Sequence, residues 1–184
     1  MLKKLTLLAL AVAAFAIPAS ASAAEWKFEG EPLKETASVT LSGGAGFTAG
    51  TNGAHATLDA VIDLEPGSTG KVTTLGISNC TGTGGLTGLT CDATEENLPW
   101  TVHCNADGSV TITGVQITNH YTPSGLAPDT TLTGSVVATG EEGSLDSVSL
   151  SGSGTTVDIK GGPQGVTASV SGTLEASQAG YSCS

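Results

Sequence analysis

The sequence predicts an all-β protein, an antiparallel β-sandwich or closed β-barrel of about ten short strands. Three observations carry that expectation. In 184 residues there are 26 glycines, and only 12% of the chain is charged. That composition disfavours helical bundles, coiled coils and charge-rich disorder. From Ala37 onward, short runs of Val, Ile, Thr and Leu alternate in polarity and stop at Gly, Pro, Asn or Asp, which is the pattern of strands and turns. No stretch carries an apolar stripe at helical spacing, so one helical turn or none is expected.

The N-terminus reads as an export signal. Lys3 and Lys4 precede an apolar run from Leu5 to Ile17, followed by Pro18 and the small residues Ala19 to Ala24. A run of that length falls short of the roughly 20 residues that a membrane-crossing helix needs. Residues 1–23 are therefore expected to be a cleaved signal peptide, with cleavage after Ala23 preferred over Ala21. Residues 24–184 are then one all-β domain, secreted or held at the cell envelope, with no membrane span after cleavage. A chain of that size encloses one core.

The elements follow in order. Glu25 to Glu35 is acidic and contains Pro32, but Trp26 and Phe28 are costly to leave in water and should pin it as a first strand. Val39–Leu41 comes next. The clearest strand is Ala54–Asp63, with Ala54, Ala56, Leu58, Ala60 and Ile62 on one face and His55, Thr57, Asp59 and Asp63 on the other. After a turn at Pro66-Gly67 come Lys71–Ser78 and a segment around Leu86–Cys91. Trp100–Cys104 and Val110–Asn119 flank Asp107-Gly108, the strongest hairpin signal in the chain. Thr131–Ala138, Leu145–Leu150, Thr155–Ile159 and Val166–Ala176 complete the set. Turns are expected at Gly140–Gly143 and at Gly161-Gly162-Pro163.

Cys80, Cys91, Cys104 and Cys183 all lie in the exported part, where the compartment favours oxidation, so two disulfides are expected. Four cysteines allow three pairings. Cys80 and Cys91 bracket a Gly/Thr-rich stretch that looks like a hairpin or loop, which favours Cys80 with Cys91 and Cys104 with Cys183. His103-Cys104 is the one adjacent pair of ligand types, too little for a zinc site, and no metal is expected.

The net charge is −11, it becomes more negative once Lys3 and Lys4 leave, and there is no arginine. Such a surface repels phosphate backbones and lacks the side chains that clamp them, so nucleic acid is not a partner.

Motifs of chemistry are scarce. The chain has no nucleophile elbow, no His-Glu-x-x-His and no phosphate loop, and no cofactor is expected. His55, His103 and His120 are far apart in sequence, and a histidine alone on a strand is ordinarily a polar face residue. Asn105 to Ser109 resembles part of a calcium loop, but the positions of its two anchoring carboxylates fall on His103 and Gly114, so it reads as a turn. Asp59 and Asp63 share a strand face about 13 Å apart, too far for the carboxylate pair of a glycosidase. Trp100 reads as a core anchor. Asn119 to Gly125 gathers an imidazole, an aromatic ring and turn residues, and within it His120 and Tyr121 are the candidate binding residues. No catalytic residue is assigned.

The leader, the string Ile77-Ser78-Asn79-Cys80-Thr81-Gly82-Thr83-Gly84 and the step Leu98-Pro99-Trp100 together resemble the small uncharacterised secreted β-rich proteins of actinobacteria. The resemblance implies an exported β-domain and assigns no activity or site residue. The leading functional expectation is a non-enzymatic exported β-domain that binds a cell-envelope polymer or a partner protein. The alternative is a small secreted hydrolase of polysaccharide working through carboxylates. A third reading is a barrel that holds an apolar ligand, and it requires an open lumen. A cleft with two carboxylates would favour the hydrolase.

Overall fold

A computed structural model describes residues 24–184, so the expected signal peptide, residues 1–23, lies outside the described residues. The strands are β1 (Trp26–Phe28), β2 (Glu31–Pro32), β3 (Ala37–Ala49), β4 (Asn52–Leu64), β5 (Thr69–Gly84), β6 (Thr90–Glu95) and β7 (Trp100–Cys104). They continue as β8 (Val110–Thr122), β9 (Thr130–Gly140), β10 (Ser147–Ile159), β11 (Val166–Thr167), β12 (Ser169–Ala176) and β13 (Tyr181–Cys183). The only helical element among the described residues is a single 3-10 turn at Glu141–Gly143.

Ten of these strands form one antiparallel sheet that closes on itself. The ladder runs β3, β4, β5, then β6 and β7 side by side, then β8, β9, β10 and β12, and β12 pairs again with β3. That ring decides between the two expected architectures in favour of the closed barrel. Closure brings Thr173 and Leu174 of β12 hard against Gly43, where an added Cβ would lie 2.1 Å from the Thr173 carbonyl oxygen. Glycine is therefore the residue that permits this contact.

The alternation seen in β4 explains its place. Ala54, Ala56, Ala60 and Ile62 are buried in the lumen, while His55 and Asp59 are exposed outside. Ring closure gives every main strand this inside and outside. The lumen is packed as two apolar clusters, a large one reaching from Trp26 through Val39, Val102 and Val148, and a smaller one around Phe47, Tyr121, Leu132 and Val157.

The remaining strands form a three-stranded sheet, β13-β1-β2, that caps the end of the barrel near the larger cluster. Trp26 and Phe28 do pin this segment. Trp26 is fully buried, and Phe28 packs on Tyr181 with ring centroids 4.8 Å apart. Cys104 of β7 is bonded to Cys183 of β13, and Cys80 of β5 to Cys91 of β6, so the favoured pairing is the one found.

Some boundaries differ from expectation for local reasons. Leu86 to Leu89 is not a strand but the tight turn joining β5 to β6, with Leu89 N–H donating to the Leu86 carbonyl. Leu145–Leu150 and Thr155–Ile159 belong to one long strand, β10, which starts at Ser147 and is interrupted only by a bulge between Ser153 and Thr156. Val166–Ala176 is instead split at Ala168, whose backbone turns inward to bond Thr155 through both its N–H and its carbonyl.

Candidate functional site

Outside, the three histidines are all exposed and lie on three different strands. The imidazole of His55 lies over Gly44, and His103 pairs in register with Thr111. The region expected as a loop is strand as far as Thr122, because β6 runs beside it, so His120 and Tyr121 point to opposite faces. They do not share a site.

His120 stands outside, with Nδ1 3.1 Å from one oxygen of Asp129, while Lys160 Nζ lies 3.0 Å from the other. The Lys160 ammonium first, and the His120 imidazole second, hold the Asp129 carboxyl below the ordinary aspartate range. Tyr121 is buried inside, and burial pushes its hydroxyl above the ordinary tyrosine value.

Several carboxylates on the outer face are tied into local structure. Asp107 accepts the backbone N–H and the hydroxyl of Ser109 in the β7–β8 turn, which holds its carboxyl low. Asp63 accepts from Ser38 Oγ at 2.6 Å. Glu96 accepts from Gln116 Nε2 at 2.5 Å and from Thr118 Oγ1 at 2.7 Å, beside an open outer groove edged by Asn97, Thr101, Thr113, Thr133 and Ser135. No Asp or Glu lines that groove. Among the described residues no three His, Cys, Asp or Glu side chains gather as a metal-ligand set.

Inside, the wall lines a narrow apolar cavity of about 120 Å³ between the two core clusters. Ala45, Ala56, Leu58, Ile77 and Leu132 are typical of its lining, and no Asp, Glu or Lys contributes to it. Small side chains, above all the alanines of β3 and β4, leave this space open.

One strip of wall beside the cavity is unlaced. β5 pairs with β7 at Thr69–Val72 and with β6 only at Thr81. Between them, β5 from Thr74 to Ser78 is laddered to β4 alone, and β6 from Cys91 to Glu95 is laddered to β8 alone. Two bulges on β5 bracket this stretch, one with Thr73 as the extra residue and the other setting Asn79 and Cys80 together opposite Ala56 of β4. Bulges bend the strand that carries them, which accounts for the parting of β5 from β6. The lumen-facing Ile77, Ala93 and Ile117 beside this strip are only half-buried. The Cys80–Cys91 disulfide closes one end of the split.

Asn119 is the polar residue in the cavity wall that the sequence reading passed over. It is 3% exposed and stands on the lumen face of β8, in register with Ala93 and Thr130. Thr130, also buried, accepts from the Asn119 amide at 3.5 Å and shares a hydrogen bond with the Tyr121 hydroxyl at 3.4 Å. Parity was the signal: Ile117, Asn119 and Tyr121 alternate with Thr118 and His120, so an inward Ile and Tyr require an inward Asn.

No family model, curated protein or solved structure matches this chain.

Proposed function

We propose that this chain is a non-enzymatic β-barrel module, exported from the cytoplasm, that takes a small apolar molecule into its lumen. The observation that carries the reading is the lumen cavity of about 120 Å³, set between the packed clusters and lined by apolar side chains without a carboxylate or a lysine. A dry apolar cavity of comparable volume, about 150 Å³, is known to accept benzene or xenon.

A hydrolase needs an acid or base within hydrogen-bond reach of the reacting bond. The lumen offers no Asp or Glu, and Asp107, Asp63 and Glu96 on the outer face are engaged with their own neighbours. Export is supported by two disulfides in a chain with no free cysteine among the described residues. No helix among those residues is long and apolar enough to cross a membrane.

The test is native mass spectrometry of the unreduced protein recovered from the culture medium. The expected product begins at Ala24, is lighter than the reduced chain by the hydrogens of two disulfides, and carries a small adduct that is lost on unfolding. A full-length cytosolic product with free thiols would overturn export. Absence of both an adduct and any stabilisation by benzene or xenon would overturn the lumen as a binding site.

A further inference from the structure

The cavity is apolar except at one place, and that place is short of hydrogen bonds. An asparagine amide has a donor end and an acceptor end to satisfy. At Asn119 the donor reaches Thr130 Oγ1 only at 3.5 Å, a length at which a hydrogen bond is weak. The acceptor has the Cys80 sulfur at 3.9 Å, and a sulfur tied into a disulfide has no proton to donate. Exchanging the amide oxygen and nitrogen lets the Thr130 hydroxyl donate to the oxygen at the same 3.5 Å and sets the N–H against a disulfide sulfur that accepts only weakly, so the amide is loosely held in either orientation. Thr130 cannot make up the deficit, because its other neighbour, the Tyr121 hydroxyl, is itself 3.4 Å away.

Buried polar groups are otherwise well satisfied in folded proteins, so a loosely held amide in a cavity wall is a station for something that fits the cavity. Its position suits access. Asn119 lies behind the unlaced strip, with Cys80 of β5 on one side and Ala93 of β6 on the other. A charged partner does not suit it, because no lysine or carboxylate lines the lumen to offset the loss of solvation.

We infer that the lumen takes a molecule of about benzene's size bearing one uncharged hydrogen-bonding group, and that this group docks on the Asn119 amide with Thr130 beside it. The inference rests on the lumen being the binding site. It narrows the ligand from apolar to apolar with a single neutral polar end.

The experiment is calorimetric titration of the oxidised protein with benzene and with phenol, in the wild type and in Asn119→Leu. The wild type is expected to bind phenol at least as tightly as benzene. Asn119→Leu is expected to keep benzene affinity within about twofold and to lose phenol affinity by about tenfold or more, since a site built for a hydrogen bond separates such analogues. In parallel, nitrogen-15 spectra of the wild type should show the Asn119 side-chain amide moving with phenol and not with benzene, a readout that needs no variant.

If benzene binds but phenol gains nothing from Asn119, or if the amide does not move because a permanent water already holds it, this inference fails and the apolar lumen stands. If a folded Asn119→Leu loses both probes, Asn119 is structural and the inference fails. If the wild type binds neither probe, the lumen reading fails with it.

Discussion

The indole Nε1 of Trp26 donates to the backbone carbonyl of Thr69 at 2.6 Å, and that bond fastens the capping sheet to the barrel. The backbone at Trp26 adds a second tie, its N–H donating to the Gly67 carbonyl at 2.8 Å. The ring itself, fully buried, plugs the end of the lumen. Trp26→Ala should therefore lower the unfolding free energy by about 3–5 kcal/mol, the range for deleting a large buried ring. Trp26→Phe should cost about 1–3 kcal/mol, because it keeps much of the plug but loses the indole bond and leaves the Thr69 carbonyl with the Glu65 N–H alone. Urea unfolding measures both. A Trp26→Ala midpoint equal to that of the wild type would mean the cap is not part of the cooperative core.

The two disulfides should differ in weight. Cys104–Cys183 closes a separation of 79 residues and Cys80–Cys91 one of 11. In the chain-entropy account the longer closure is worth roughly 4–5 kcal/mol and the shorter about 3 kcal/mol. Replacing each pair with alanines and comparing urea midpoints checks the order. The long bridge also holds β13 against β7, so its loss should release the cap, visible as new exposure of Phe28 and Tyr181. A larger loss from the Cys80 and Cys91 pair would contradict the ranking.

What could be read from the sequence was what neighbouring residues decide. Alternation in β4, the anchoring of Trp26 and Phe28, the Asp107-Gly108 turn and the burial of Trp100 all depend on local spacing and side-chain type. Ring closure could not be read, because Gly43 meets Leu174 across more than half the chain, and register between distant strands leaves no local mark. The β6 boundary was missed because Leu86 and Leu89 look like strand residues. In fact their half-buried side chains pack on the smaller cluster from a turn. Asn119 was in view as the last residue of the expected strand Val110–Asn119, but it was grouped with His120 in the loop, and its parity with the inward Ile117 and Tyr121 was not read.

The split between β5 and β6 should be measurable in hydrogen exchange. Amides of Thr74–Ser78 that turn away from β4 have no ladder partner, nor do those of Cys91–Glu95 that turn away from β8. Local openings and unladdered edges sit at the low end of the stability scale. These amides should exchange before the rest of the barrel, while the alternate amides of the same stretches, bonded to β4 and β8, stay protected. Uniform protection along β5 would mean the two strands are laced and the lumen is shut on this side.

The pH dependence of stability should have two ends with different owners. Lys71 holds Glu65 below its ordinary value, Ser109 holds Asp107 below its own, and Lys160 with His120 does the same for Asp129. A carboxylate with a lowered native pKa stabilises fully above its unfolded value, here 4.5 for Glu65 and 3.8 for the aspartates, and that contribution fades as pH falls through the lower native value. All three are solvent-facing, so each effect is small and screened by salt. On the alkaline side, Tyr121 is raised by burial from 10.0, so its contribution is complete below that value and is lost as pH rises through the native one. Lys71, raised from 10.5 by Glu65, acts in the same direction but from an exposed position. Urea midpoints should therefore be level between about pH 5 and pH 9 and fall on both sides. Tyr121→Phe should remove most of the alkaline fall and leave the acid fall unchanged, since a phenyl ring fills the same buried space without a proton to lose. An alkaline fall of equal size in Tyr121→Phe would place its origin in the exposed groups and not in the lumen.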